Sequence, residues 1–362
     1  MSKPHVSIII LNWNGWRDTI ECLESVFKND YDEFNIILVD NGSKDNSINK
    51  IEDWALNKNF ELPDTNFPFL VLPPSPKPII IHDLLNDVHN ENKSEVVLNL
   101  KRLVEKKEII FLKYKQNLGF AIGNNLAIEI ALKLFESKYV YLLNNDTVIE
   151  KNSITEIINK MEEFKDPCVI TSAIYAYYNP NMVSNLGGKI NIWGNRKYYT
   201  KIKNRGLYHY VSFVTGCALM IPKSVIENHG ALSEKFFFGE EDFEYSLRLR
   251  KYKIKILCVF SSKVYHKIST ASKKLMEDQL HHKLIYFLNR IINLRDYYPN
   301  WIWIIWRIAM VISSGIWLIT KYSIGIKKSI RFVKYLYLYS NDYSDVKKEN
   351  FDFIIKNSPL KW

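Results

Sequence analysis

The sequence predicts an open, doubly wound α/β sheet followed by a helical appendage. Three observations lead there. β-branched runs of strand length alternate with segments of helical period, polar residues gather at the carboxyl ends of those runs, and an almost wholly apolar stretch lies near the C-terminus.

Val6–Leu11 is a continuous β-branched run, as expected for a strand buried on both faces of a parallel sheet. Asp18–Lys28 follows with Ile20, Leu23 and Phe27 at helical spacing, and Phe34–Val39 is a second strand closed by the turn-rich Asp40-Asn41-Gly42-Ser43. A helix is expected from about Asp45, with Asn46 and Ser47 as caps. Residues 57–107 interrupt the rhythm: prolines at 63, 68, 73, 74, 76 and 78 oppose regular helix, and Asp83–Lys107 is charged and partly helix-compatible. We read this stretch as an insertion on the sheet's edge, either a tolerated surface element or a contributor to acceptor binding. The alternation resumes with a strand at Glu108–Lys113, a helix from Ile122 to Phe135 and a strand at Tyr139–Leu143. Further strand-like runs stand at Cys168–Ile174, Cys217–Ile221 and Ile254–Phe260, with a helix after Glu240.

Length and charge bound the function. The 362 residues are enough for one large α/β domain with appendages, and 47% hydrophobic residues can fill its core. A formal charge of +10 points to an anionic partner: nucleic acid, a phospholipid surface or a phosphorylated substrate. Cys22, Cys168, Cys217 and Cys258 are far apart and form no C-x-x-C pair, so isolated buried thiols are expected in place of a disulfide framework or zinc knuckle. The N-terminal apolar run is short and reads as a first strand rather than a signal peptide, which places the chain in a reducing, cytoplasmic compartment.

In an open α/β sheet, ligands bind at the carboxyl ends of the strands. Asn12, Trp13 and Asn14 follow the first strand, Asp40 the second, Asn117 and Gly119 the third and Asp146 the fourth. Each alone is an ordinary turn residue, but four successive strand ends with polar residues describe a binding cleft.

These residues resemble a known family. Val6-Ser-Ile-Ile-Ile-Leu-Asn-Trp-Asn-Gly15 and Leu38-Val-Asp-Asn-Gly-Ser43 look like the opening of family 2 glycosyltransferases with the GT-A fold, a Rossmann-like open mixed sheet flanked by helices. Asn117-Leu-Gly-Phe-Ala-Ile-Gly-Asn-Asn125, Leu142-Leu-Asn-Asn-Asp-Thr147, Thr215-Gly-Cys-Ala-Leu-Met220, Phe236-Phe-Phe-Gly-Glu-Glu-Asp-Phe243 and Val264-Tyr-His266 continue the likeness in order. The flavour is that of the rhamnosyltransferase-like branch building cell-surface polysaccharides. The resemblance covers about residues 5–272, leaving 273–362 as a separate C-terminal helical region.

The resemblance implies an inverting transfer from a nucleotide-diphosphate sugar, dTDP-rhamnose or a UDP-sugar, to a glycan or polyprenyl-diphosphate-linked acceptor. It implies nucleotide-sugar contacts from Leu11, Asn12, Trp13, Asn14, Asp40, Asn41, Asn117, Gly119, Asn124 and Asn145. Asp40 would accept hydrogen bonds from the pyrimidine ring and ribose. Asp146 takes the last position of the family's D-x-D motif, where a carboxylate holds Mg2+ or Mn2+ against the diphosphate, and Asn144 replaces the first acid. His266 is either a second metal ligand or a structural hydrogen-bonder. Asp242 maps to the base that takes the acceptor's proton, with Glu241 orienting the acceptor, although an acidic first turn is also what a following helix favours. The Gln-x-x-Arg-Trp signature of processive synthases does not follow Asp242, so one sugar per encounter is expected.

In the C-terminal region, Leu280–Leu294 shows helical spacing, and Trp301–Thr320 is nearly all apolar and about long enough to span a bilayer. Trp301, Trp303 and Trp306, with Lys321, Lys327, Lys328, Arg331 and Lys334, favour helices lying in a membrane surface over a true span. That docking, peripheral or monotopic on the inner face, would also account for the charge. Nucleotidyl transfer fits less well, because Asn12-Trp13-Asn14-Gly15 is not a Gly-rich basic phosphate loop, and no basic–aromatic pattern for nucleic acid stands in the first 272 residues. A catalytically inactive nucleotide-sugar-binding or membrane-surface protein of the same fold is the alternative.

Overall fold

The computed structural model describes residues 3–58, 62–85, 107–135, 137–191, 194–202, 206–267 and 280–357. Residues 59–61 and 86–106 of the 57–107 insertion lie outside the described residues, as does the expected boundary near 272. The chain divides into two compact units, one holding Met1–Ile190, Arg196–Leu232 and Tyr245–Ile268, the other Asn191–Asn195, Ser233–Glu244 and Ser269–Trp362.

The first unit is built on β1 (Val6–Asn12), α1 (Trp16–Phe27), β2 (Phe34–Asp40) and α2 (Ser47–Leu56), as the alternation predicts. Then come α3 (Pro68–Val71), β3 (Ile81–Leu85), β4 (Ile109–Lys113), α4 (Phe120–Leu134), β5 (Tyr139–Asn144), β6 (Thr147–Ile149), α5 (Ser153–Glu163) and β7 (Cys168–Ala176). The short strands β8 (Asn179–Asn185), β9 (Gly188–Ile190), β10 (Arg196–Tyr198) and β11 (Tyr208–Tyr210) precede β12 (Ala218–Pro222), α6 (Lys223–His229), α7 (Glu241–Lys251), whose first four residues are counted in the second unit, and β13 (Lys255–His266).

The main sheet runs β11-β13-β7-β12-β5-β1-β2-β4-β3, with β6 on β13 and β8 on β7, while β9 and β10 form a small ribbon. β1, β2, β4, β3 and β5 are parallel, whereas β12 runs antiparallel to both β5 and β7, so the sheet is mixed. The central strands are buried on both faces, and two apolar layers cover them. One contains Ile8, Ile10, Ile36, Leu38 and Tyr141 with Leu23 and Val26 of α1, the other Ile9, Ile37, Val39 and Leu142 with Ala127, Ile128 and Ala131 of α4. The insertion supplies β3, a parallel edge strand on β4. All four cysteines are free and buried.

The second unit contains α8 (Leu280–Arg295), α9 (Asn300–Tyr322), α10 (Ile326–Asp342) and α11 (Lys348–Asn357). α9 and α10 form an antiparallel hairpin that packs on α8. The indole of Trp303 donates to the Ile291 carbonyl at 3.0 Å, and Ser329 Oγ donates to the Gly315 carbonyl at 2.9 Å. That contact needs glycine, because a Cβ at 315 would lie 2.5 Å from Val333 Cγ2.

Candidate functional site

The parallel register brings the strand ends together. Asn12 and Asp40 are direct partners in the β1–β2 ladder, and Leu11 pairs with Asn144 in β1–β5, so the turns after β1, β2 and β5 leave the sheet side by side.

Asn12 is the hub of that edge. Its Nδ2 donates to Asp40 Oδ2 at 2.8 Å and to Ser43 Oγ at 3.1 Å, while its Oδ1 accepts from Thr19 Oγ1 at 2.8 Å. Asn145 Nδ2 donates to the same Thr19 oxygen at 2.9 Å, which ties the β5 turn to α1. Asp40 is fully buried, and its other oxygen accepts from the Ser43 amide at 2.9 Å. Both of its oxygens are therefore committed inside the protein. Beside it the turn after β1 is more open, with Trp13 56% exposed.

A second set links β2 to the turn before α4. Asn41 Nδ2 donates to Asn117 Oδ1 at 3.0 Å and to the Gly119 carbonyl at 3.2 Å, and Asn41 Oδ1 accepts from the Leu118 amide at 2.9 Å. Asn117 Oδ1 also accepts from the Gly119 amide at 2.8 Å. Gly42 permits the approach: its φ is +76°, and a Cβ there would lie 2.4 Å from the Gln116 carbonyl carbon. Asn14 sits at φ 52° and accepts from the Lys44 amide at 2.6 Å, closing the β1 turn onto the β2 turn. Asn124 turns inward and donates to the Phe120 carbonyl at 2.8 Å within its own helix. The bond is local, because a side-chain amide within a helix finds the i−4 carbonyl within reach. Leu11 packs on the same helix, where a Cβ at Gly123 would meet its Cδ1 at 2.7 Å.

β6 explains why Asp146 meets His266. After the turn at 145–146 the chain runs as Thr147–Ile149 antiparallel to the end of β13, with Thr147 opposite His266. His266 Nε2 then lies 3.1 Å from Asp146 Oδ1, and the Lys267 amide donates to the Asp146 carbonyl at 2.9 Å. Burial lowers the basicity of the His266 imidazole, but Cys217 and the Asp146 carboxylate outweigh it and hold the pKa well above the ordinary value.

Among the described residues there is no group of three or more His, Cys, Asp or Glu side chains that could hold a metal. One carboxylate and one imidazole fit a divalent cation that takes its remaining ligands from diphosphate oxygens and water, and do not fit a permanently resident ion. The imidazole would have to lose its proton to ligate.

Sequence reasoning missed two parts of this edge. Thr19 bridges Asn12 and Asn145, and its signal was its place on the sheet-facing side of α1. Lys267 follows His266 and reaches back to Asp18 Oδ1 at 2.6 Å and Glu21 Oε2 at 2.5 Å, pinning α1 to the end of β13. Glu21 in turn accepts from the Tyr177 hydroxyl at 2.5 Å.

The acidic triplet belongs to the second unit. Glu240 has φ 84° and accepts from Asn293 Nδ2 at 2.7 Å. Glu241 opens α7 and is buried, with Oε2 lacking a hydrogen-bond partner, and burial, reinforced by the charge of Asp242, pushes its pKa up to about 8. Asp242 is half-buried and accepts from the Phe243 amide at 2.8 Å. Glu241, Asp242 and Glu244 make the first turn of α7 acidic, so the helix-start reading of the triplet holds whatever else the residues do.

Comparison with known proteins agrees with this frame. The low-salt glycan biosynthesis hexosyltransferase Agl10 of Haloferax volcanii is 26% identical over 179 residues, covering 47% of this chain and 54% of the relative. The glycosyltransferase GlyG of Streptococcus pneumoniae serotype 4 is 22% identical over 172 residues, covering 48% of this chain and 40% of the relative. The chain thus spans about half the length of the curated relatives it matches. The mannosyltransferase PcManGT of Pyrobaculum calidifontis, solved with GDP-Man and Mn2+, superposes with a TM-score of 0.50 at 11% identity, covering 98% of this chain and 86% of that one. That likeness shows the fold, the mixed open sheet of GT-A glycosyltransferases with helices after it. The glycosyl transferase family 2 model matches residues 7–63 and 84–230, a span that takes in the strand ends carrying the Asn12, Asp40, Asn117 and Asp146 clusters, and the chain belongs to that family.

Proposed function

We propose that this chain is an inverting, non-processive glycosyltransferase acting on a nucleotide-diphosphate sugar, dTDP-rhamnose or a UDP-sugar. It would pass a hexosyl group to a hydroxyl of a glycan or polyprenyl-diphosphate-linked acceptor in cell-surface polysaccharide synthesis. The observation that carries this reading is the convergence of polar side chains from three adjacent strand ends, where α/β sheets bind nucleotides. The names of the Haloferax relative, a glycan-biosynthesis hexosyltransferase, and of the Pyrobaculum structure with GDP-Man and Mn2+ support it.

In this reading Asn12, Asp40 and Ser43 hold the turns rigid, and the exposed Trp13 and Asn14 present a face to the nucleotide. The rigidity matters because a pre-shaped pocket does not have to order itself when the donor arrives. Asp146 and His266 would hold Mg2+ or Mn2+, which supplies positive charge to the departing nucleoside diphosphate. Asp242 accepts the proton of the acceptor hydroxyl as its oxygen bonds to the anomeric carbon, and the anomeric carbon–phosphate oxygen bond breaks on the opposite side. Glu241, whose raised pKa favours the neutral acid, can donate a hydrogen bond to the acceptor. The four free, buried cysteines are in keeping with a cytoplasmic setting.

The test is transfer of labelled sugar from dTDP-, UDP- and GDP-linked donors to lipid-linked and oligosaccharide acceptors with Mn2+ present. One donor class should be used, and Asp242→Asn should lower turnover by about 10²–10⁴-fold while donor binding survives. Unchanged turnover in that variant would remove Asp242 from the chemistry.

A further inference from the structure

The hairpin of α9 and α10 leaves one long face exposed among the described residues. α9 is long and apolar enough to cross a membrane, yet Trp303, Trp306, Arg307, Val311, Ser314 and Leu318 are buried against its neighbours. Arg307, the one charge in the middle of the helix, points inward: its Nε donates to Ser340 Oγ at 2.9 Å and its Nη2 to the Tyr337 carbonyl at 3.1 Å. The opposite side shows Trp301, Ile305, Ile308, Ile312, Ile316 and Ile319 at helical spacing, all exposed, with Trp301 at 67% and Ile305 at 64%. No charged residue interrupts that stripe.

α10 continues it. Ile326 and Ile330 are 66% and 64% exposed, and the exposed Lys327, Arg331 and Lys334 lie on the flank of the same helix. No acidic residue occurs between Asp296 and Asp342, while Arg307, Lys321, Lys327, Lys328, Arg331 and Lys334 do. An apolar stripe edged by cations and free of anions matches an anionic bilayer surface, with apolar side chains below the headgroups and the basic row among the phosphates. A second copy matches it less well, since a two-fold contact through this face would set the basic row against itself.

We propose that the α9–α10 hairpin docks in the plane of an anionic phospholipid membrane, with the isoleucine stripe of α9 as its immersed face and Lys327, Arg331 and Lys334 at the headgroups. α9 lies along the surface and does not cross it, because crossing would strip Arg307 from its buried partners into hydrocarbon.

Vesicle flotation of the full chain tests this, using phosphatidylcholine alone and phosphatidylcholine with about 30% phosphatidylglycerol. The chain should float with the anionic vesicles, and about 0.5 M salt should weaken but not abolish binding. Lys327→Gln with Arg331→Gln and Lys334→Gln should lower partitioning into anionic vesicles by about a hundredfold. Ile312→Glu with Ile316→Glu should abolish it while circular dichroism and the melting curve stay close to wild type. The exposed Ile308→Ser and Ile319→Ser, made separately, keep the test open if the double variant fails to fold. Failure to float with anionic vesicles overturns the proposal. So does equal binding by the folded isoleucine variants, or a solution oligomer that those variants dissociate, which would assign the face to a second copy. Protection of residues on both sides of α9 from an impermeant label would overturn the in-plane geometry in favour of a span.

Discussion

Asn12 and Asp40 are paired in register across β1 and β2, and Asn12 Nδ2 donates to Asp40 Oδ2 at 2.8 Å with both side chains fully buried. A buried carboxylate is expensive unless it is hydrogen-bonded, so Asp40 requires Asn12 and the Ser43 amide to remain where it is. The pair therefore works first as a clamp that fixes two turns, and the exposed Trp13 and Asn14 are what the first of those turns carries.

A double-mutant cycle of Asn12→Ala and Asp40→Ala measures that clamp. By urea unfolding the coupling energy should be about 1–3 kcal/mol. Effects that add to within about 0.5 kcal/mol would show that the two side chains act independently.

Gly42→Ala tests the close approach of the β2 turn to residues 116–117. The positive φ and the 2.4 Å contact with the Gln116 carbonyl carbon leave a methyl group no room. A loss of about 2 kcal/mol or more in stability is expected, by the same unfolding measurement. A neutral result would mean that the loop at 116–117 yields freely.

Much of the sheet was legible because strands buried on both faces are continuous apolar runs, as at Val6–Leu11 and Tyr139–Leu143. Strand direction was not: Ala218–Pro222 reads like its neighbours, and only its partners show that it runs antiparallel. The edge strand Ile81–Leu85 hid behind the prolines that precede it, since those end before position 79 and an edge strand pairs on one side alone. Polar residues at strand ends were visible as types, yet their burial was not. Nothing in the letters separates Asp40, enclosed by Asn12 and Ser43, from the partly exposed Asp146, because that difference comes from which turn folds over which. The His266–Asp146 contact likewise depends on β6, three residues too short to stand out from the loop around them.

Glu241 makes stability depend on pH. Its pKa is raised from the usual 4.5 to about 8 by burial and by the neighbouring Asp242 charge, so between those values the folded chain holds a proton that the unfolded chain has released. Stability from this group is fully present below about pH 4.5, declines as pH rises through that window and levels off above about 8. In wild type minus Glu241→Gln difference curves, the slope should reach at most about 1.4 kcal/mol per pH unit, one proton's worth. Parallel curves for the two proteins across pH 5–8, a window set roughly by those two values, would show that Glu241 ionises normally.

The central claim is a metal-assisted nucleotide-sugar site at the strand ends, and calorimetric titration addresses it most directly. The full chain would be titrated with dTDP, UDP, GDP and CDP, with and without Mn2+, alongside Asp146→Ala. The account predicts that one pyrimidine diphosphate binds, that Mn2+ tightens it by about tenfold or more, and that Asp146→Ala loses the metal's contribution. If the folded chain binds no diphosphate under any metal condition, the donor site is not where these strands end.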